Sequence, residues 1–115
     1  MDKPVITSEG FVERREEPRL EVAVAARIDQ DPDGRVAITQ DLSLHGARML
    51  CIDRLQAGEA VEVWFLTPSE NEEVRVSGRV VRAEPFSVSG PWRCRMAVRF
   101  DQPLDGNLDR FVGKA

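Results

Sequence analysis

The stretch CRMAVRF at residues 94–100 indicates a β-strand, because larger apolar side chains occupy every second position. A period of two residues places alternate side chains on opposite faces of a strand. One face carries Cys94, Met96, Val98 and Phe100, and the other carries Arg95, Ala97 and Arg99. Such a strand covers a core with its first face and meets water with its second.

The same period recurs upstream in segments separated by turn-forming residues. Alternation covers residues 22–28, 47–52, 61–66 and 74–81, and a further strand restarts at Val36 and Ile38. The intervening turn clusters are DQDPDG at 29–34, QAGE at 56–59, TPSENE at 67–72 and EPFSVSGP at 84–91. About six strands with short polar connections predict an all-β, closed or nearly closed antiparallel barrel.

The two ends of the chain differ from this pattern. Residues 1–11 are expected to be a flexible lead, and residues 12–115 to form one domain. Near the C-terminus, LDGNLDRFVGKA has apolar residues at helical spacing, which predicts one or two helical turns that plug a barrel end. These residues are Leu104, Leu108, Phe111 and Val112. A helix this short needs packing to be stable.

Composition excludes several functional classes. The 115 residues carry a net charge of −4, whereas general nucleic-acid binders are usually basic, so we expect no DNA or RNA partner. No apolar run has the length of a membrane span, and MDKPVITSEG lacks the apolar core of a signal peptide. We therefore expect a cytoplasmic protein without membrane insertion.

Catalytic and metal-binding patterns are poorly supported. No histidine accompanies a plausible nucleophile, and no glycine-rich phosphate loop of the GxxxxGK type occurs. Cys51 and Cys94 are expected to be buried thiols, with a disulfide or a metal site as the alternative. His45 cannot complete a zinc site with them alone. We expect no enzyme, no metal and no cofactor.

Two short segments remain that suit a ligand. RREEPR at 14–19 places Arg15 and Arg19 on one side of an extended chain, where guanidinium forks match phosphates and the N7/O6 edge of guanine. DLSLHG at 41–46 offers the acceptor Asp41, the hydroxyl of Ser43, and Gly46, which tolerates φ > 0 and close ligand approach. The alternatives are a solvated charged leader and an Asx or serine turn.

Taken together, the two segments resemble the signature of the PilZ domain family, in which RxxxR precedes a six-stranded barrel and [D/N]xSxxG follows the first strands. The resemblance covers roughly residues 12–112 and includes ARM after Gly46 and the late GRVVR and MAVRF. It implies a PilZ-like barrel with a short C-terminal helix and a flexible N-terminal arm.

The resemblance also implies a ligand, cyclic di-GMP. Arg15 and Arg19 would grip phosphate and guanine, Asp41 and Ser43 would contact another guanine edge, and Gly46 would shape the loop. In that family an arginine at the position of Arg14 is associated with a stacked ligand dimer, so the resemblance implies two ligands for one domain. The charges agree with this expectation, because the three cations Arg14, Arg15 and Arg19 can balance more phosphate charge than one ligand brings. Trp92 is a further candidate for base stacking, with barrel-end packing as its alternative.

The function expected from this resemblance is that of a signalling receptor. Binding would order the arginine arm over residues 41–46 and change the surface offered to an unidentified effector protein. The alternative is a PilZ-like adaptor, for example in motility or pilus assembly, that acts by protein contacts without binding nucleotide.

Overall fold

The computed structural model describes residues 19–29, 35–68, 71–104 and 108–112. The strands are β1 (Ala25–Ile28), β2 (Arg35–Leu42), β3 (Gly46–Cys51), β4 (Ala60–Leu66), β5 (Glu73–Pro85) and β6 (Cys94–Phe100). A 3-10 helix, Leu108–Phe111, follows them. Residues 1–18 lie outside the described part, and with them the expected flexible lead and most of the arginine arm.

The six strands close into an antiparallel barrel in the order β1-β2-β3-β6-β5-β4, which confirms the predicted fold class. Closure leaves every strand paired on both sides. The short strand β1 is bonded to β2 and to β4 and completes the ring. Two boundaries differ from prediction, since β1 begins at Ala25 rather than near residue 22, and β5 continues to Pro85 into the expected loop.

The inward faces of the strands form the core, as the alternation predicts. In β3, β4 and β6 the buried positions are Ala47, Met49, Cys51, Val61, Val63, Phe65, Cys94, Met96, Val98 and Phe100. Phe65 lies edge-to-face with Phe100 and with Phe111, at centroid distances of 5.9 and 5.8 Å. The C-terminal 3-10 turn therefore plugs the barrel through Phe111, whereas Val112 is exposed.

Cys51 and Cys94 are directly opposite each other on β3 and β6, and both are buried free thiols. This confirms the expectation of buried thiols over that of a disulfide. In the part of the chain that the structure describes, no cluster of three histidine, cysteine or carboxylate side chains could hold a metal ion. None of the described helices is long and apolar enough to cross a membrane.

Candidate functional site

A backbone bridge joins the end of the arginine segment to the DLSLHG loop. The amide of Leu20 donates to the carbonyl of Leu42 over 2.8 Å, and the amide of Leu42 donates back over 2.9 Å. Because Arg19 precedes Leu20 and Asp41 precedes Leu42, this bridge brings the two sequence motifs side by side.

Asp41 binds arginines through both of its carboxylate oxygens. Arg19 Nη1 lies 2.8 Å from Oδ1, and Arg48 Nε lies 2.9 Å from Oδ2. The Asp41 side chain is only 9% exposed, while those of Arg19 and Arg48 are 39% and 54% exposed. The carboxylate is thus fixed between two cations that still face solvent.

Thr39 supports this arrangement from inside the barrel. Its hydroxyl donates to the carbonyl of Val22 and accepts from the amide of Val24 at 2.8 Å. The register of β2 against β3 shifts between Thr39 and Asp41, which marks a β-bulge. Bulges reorient side chains near functional sites, and here both Asp41 and the adjacent Leu42 are buried.

Ser43 holds the loop closed. Its amide donates to the carbonyl of Gly46 over 2.8 Å, and its Oγ lies 3.2 Å from the same carbonyl. The His45 amide donates to Ser43 Oγ over 3.3 Å. Ser43 is only 2% exposed, so its hydroxyl mainly fixes the loop, although the residue also lines the cavity described below.

Gly46 has a different role from the one its loop position suggested. The expectation that it provides φ > 0 is wrong, because the positive-φ glycine of the described residues is Gly58. Gly46 begins β3, and a Cβ there would lie 2.6 Å from the carbonyl oxygen of Val98. It is therefore needed for the close approach of β3 to β6, which are paired at this point.

A cavity of about 460 Å³ opens beside the two arginines that hold Asp41, although Asp41 itself is not among the residues that line it. Arg19, Arg48 and Arg99 supply its cationic side chains. Its remaining lining is partly apolar and includes Val81 and Ala97 on the outer faces of β5 and β6. A surface of this type suits a planar base that carries phosphates, since guanidinium groups bind phosphate and small apolar side chains leave room for a ring.

The structure brings together four of the residues predicted from the sequence: Arg19, Asp41, Ser43 and Gly46. Arg14 and Arg15 lie outside the described residues. Trp92 is half-buried and precedes β6 at the barrel end opposite the DLSLHG loop, about 20 Å away along the strand. It does not line the cavity next to Asp41.

Sequence reasoning missed Arg48 and Arg99. Arg48 is the register partner of Asp41, and Arg99 is the register partner of Gly46. The alternating pattern already placed both arginines on the outer faces of their strands, where they are available to a ligand. Assigning them to the site required the strand order, in which β3 lies between β2 and β6.

Comparison with known protein families matches residues 13–113 to the PilZ domain. No curated protein matches the sequence. Among solved structures, "Structure of Bacillus subtilis Inhibitor of motility (MotI/DgrA)" aligns with a TM-score of 0.64 and 18% identity. The alignment covers 83% of this chain but 46% of that chain, so this chain spans less than half of the matched protein. At this identity the likeness concerns the fold.

Proposed function

We propose that this chain, which belongs to the PilZ domain family, binds cyclic di-GMP at the cavity beside Asp41 and acts as a signalling receptor. The observation that carries the proposal is the Arg19–Asp41 pair, which unites both halves of the family signature at the edge of an arginine-lined cavity. The family is one of receptor and adaptor domains, and we accordingly propose no catalytic activity.

The chemistry of the pair suits guanine. An ionised carboxylate only accepts hydrogen bonds, and its two oxygens offer more lone pairs than two arginines use. Asp41 can therefore accept from the N1 and N2 donors of guanine while it stays paired. Arg19 can turn its remaining donors toward phosphate or the N7/O6 edge, which bidentate arginine contacts favour.

The signal would be relayed through the segment that precedes Leu20. Arg14 and Arg15 are carried by this segment, and a bound phosphate would draw them to the cavity that Arg19 already lines. Ordering of this segment over the DLSLHG loop changes the surface available to an effector protein. We propose that the relay takes place in the cytoplasm.

Isothermal titration with cyclic di-GMP tests the proposal. We expect Arg15→Ala and Arg19→Ala each to weaken binding by at least about tenfold, because each removes a charge-assisted contact. Arg54→Ala is the matched control, since it removes the same charge from an exposed position beyond β3. Arginine variants that titrate like the parent would contradict the site assignment.

A second candidate function, an adaptor that acts by protein contacts alone, is favoured by an apolar surface at the opposite barrel end. Val88 is 94% exposed, and Phe86 and Ile52 are also exposed. Ser87 Oγ accepts from the amide of Gly90 over 3.1 Å, so Val88 lies at the tip of a hydrogen-bonded turn. Exposed apolar clusters of this kind mark interaction sites.

The charge next to this surface indicates the partner that would fit it. A cavity of about 550 Å³ there is lined by Val88 and by two arginines, Arg54 and Arg93, against one carboxylate, Asp53, so its charge is positive on balance. An apolar segment that carries carboxylates would complement it. Val88→Asp should abolish capture of such a partner without changing the titration with cyclic di-GMP. A parent that captures the partner but gives no heat with cyclic di-GMP would favour the adaptor.

A further inference from the structure

Strand β5 is longer than either of its neighbours, and along half of one edge the described part of the chain places no strand beside it. β5 runs over Glu73–Pro85, and its pairing with β4 covers Glu73–Arg79. Its pairing with β6 begins only at Gly78. Residues 73–77 therefore form an edge on the side that faces β6, although the barrel as a whole is closed.

The sequence explains why β6 does not continue along this edge. The Asp101 amide still donates to the Ser77 carbonyl over 2.8 Å. The same register would next place Pro103 opposite Arg75, and proline has no amide to donate. Instead the chain turns away from β5, and the following amide, that of Leu104, donates to the DLSLHG loop over 2.8 Å.

The backbone groups of this edge point into the gap that β6 leaves. Since the Ser77 carbonyl faces β6, the amide and carbonyl of Arg75, two residues away, face the same side. Val74 and Val76 turn their backbone groups toward β4 instead. Within the described residues, nothing pairs with the amide and carbonyl of Arg75. An open edge of this kind is a template for pairing with another extended chain.

A groove of about 300 Å³ follows this edge. Its apolar lining includes Val74 and Val76 on one side and Leu104 on the other. Both valines are half-buried and pack against the barrel core, to which Leu104 also belongs. Because alternate side chains of a strand face opposite ways, a chain lying in the groove would turn every second side chain toward these apolar groups.

The outward side of the same edge ends in a cation. Arg27, Trp64 and Arg75 form a row across β1, β4 and β5, and the two guanidinium groups lie 4.8 and 5.6 Å from the centre of the indole ring. Arg27 is also held by Glu73. Arg75 is 58% exposed, and its ion pair with Glu62 spans 3.5 Å. A carboxylate on a strand next to Arg75 would complete this row, because opposite charges on neighbouring strands attract.

We infer that residues 73–77 of β5 are a docking edge for an extended segment of another protein, which adds to the sheet as a strand. The segment that fits has a carboxylate opposite Arg75 and apolar side chains on both sides of it, next to Val74 and Val76. In this mode of recognition backbone hydrogen bonds supply affinity and alternate side chains supply specificity. The inference does not depend on cyclic di-GMP, because the groove shares no lining residue with the cavity beside Asp41.

Amide hydrogen exchange in the intact chain, followed residue by residue, tests the edge and the docking together. In the free protein we expect the Arg75 amide to exchange faster than those of Val74 and Val76, which β4 protects. The probe is a synthetic heptapeptide with valines on both sides of a central glutamate. At saturating peptide the Arg75 amide should exchange at least about tenfold more slowly.

Changes on both sides of the contact separate strand addition from simple attraction of charges. Arg75→Ala keeps the edge amide but removes the cation, and it should weaken peptide binding by about tenfold. Ser77→Pro keeps the cation but removes an edge amide, and it should also weaken binding. Arg54→Ala removes an exposed cation elsewhere and should bind the peptide like the parent.

A modified peptide gives a test that needs no protein variant and stands even if Ser77→Pro does not fold. N-methylation of the glutamate amide removes the donor that would bind the Arg75 carbonyl, while every side chain of the peptide stays in place. We expect it to abolish binding. A methylated peptide that binds as well as the unmodified one would overturn the inference, and so would an unmodified peptide that does not slow exchange at Arg75.

Other occupants of the edge have distinct outcomes. An Arg75 amide that is already protected in the free protein would overturn the inference, because the edge would then be covered by the chain itself or by a second copy. Sedimentation distinguishes these two cases, since only the second gives a dimer. Equal loss of peptide binding in Arg75→Ala and in Arg54→Ala would also overturn it, because the attraction would then be nonspecific.

Discussion

Arg19 and Asp41 are 22 positions apart in sequence, yet Arg19 Nη1 donates to Asp41 Oδ1 over 2.8 Å. The backbone bridge between Leu20 and Leu42 sets this distance, and Arg48 fixes the other oxygen of the same carboxylate. Both arginines are therefore oriented by a protein group before they meet an anion. Preorganisation of this kind reduces the ordering cost of binding.

Asp41 should determine which base is bound. Asp41→Asn is expected to weaken cyclic di-GMP binding by at least about tenfold, because the amide presents a donor where the carboxylate accepts. The parent should bind cyclic di-AMP poorly, since adenine N1 is an acceptor and would face the carboxylate. Competition titrations measure both effects, with Asp53→Asn as an exposed control.

Equal affinity of the parent for the two dinucleotides would remove Asp41 from this role. Stability provides a second check, because the Arg19–Asp41 and Arg48–Asp41 pairs are partly exposed on the arginine side. Such pairs contribute roughly 0–1 kcal/mol each. A much larger loss of stability in Asp41→Asn would mean that the carboxylate is mainly structural.

Gly46→Ala should destabilise the barrel rather than act on the ligand alone. The added Cβ would lie 2.6 Å from a backbone oxygen of β6, and strand backbone cannot move aside as a flexible side chain can. Overpacking of this kind typically costs about 1–3 kcal/mol, which denaturant unfolding can measure. In Gly90→Ala the nearest atom is Ser87 Oγ at 3.4 Å, so this control should remain close to the parent.

Cys51 should make stability depend on pH in the alkaline range. Burial raises the pKa of the Cys51 thiol above its ordinary value of 9.0. A raised pKa in the folded state gives stability that is complete below the unfolded pKa and is lost as pH rises through the folded one. The free energy of unfolding should therefore fall above about pH 8.5, with a shallower slope in Cys51→Ala.

Thiol labelling gives an independent measurement of the same burial. Cys51 and Cys94 are 0% and 1% exposed, so a thiol reagent at neutral pH should modify them only as fast as the barrel opens. Rapid modification of the native protein would contradict a buried, neutral thiol. An equal slope of the unfolding free energy against pH in the parent and in Cys51→Ala would contradict it as well.

The fold was predictable wherever apolar side chains alternate and strands pair regularly. Strands β3, β4 and β6 bury the residues that their pattern places inward. Strand β2 does not follow hydrophobicity, because Val36 is 48% exposed while Ala37 and Thr39 are buried. The buried hydroxyl of Thr39 binds the segment at Val22 and Val24, and no periodicity in the sequence encodes that contact.

Only those residues of the candidate site that lie in the two short sequence motifs could be predicted. Arg19 and Asp41 could be named from residue chemistry and the resemblance, and the structure places them in contact. Arg48 and Arg99 could not be assigned, because their meeting depends on cross-strand register and on the bulge in β2. Register shifts arise from tertiary packing, which one sequence does not reveal.

The arginine segment should become protected when ligand binds. Cyclic di-GMP brings one negative charge on each phosphate, and these charges would hold Arg14 and Arg15 near Arg19 and the DLSLHG loop. Hydrogen exchange should show new protection at the amides of residues 14–19, with no comparable change at Phe86–Gly90 on the opposite barrel end. If the amides of residues 14–19 exchange as fast at saturating ligand as they do without ligand, the proposed relay is contradicted.

The number of ligands follows from the same charges. Arg14, Arg15 and Arg19 together carry more positive charge than one cyclic di-GMP carries negative charge, and Arg48 and Arg99 line the same cavity as Arg19. We therefore expect titration to end at about two equivalents per chain. Arg14→Ala should lower that end point toward one while leaving the tighter step intact. An end point of one in the parent would exclude the stacked pair and leave the contact of Asp41 with guanine unaffected.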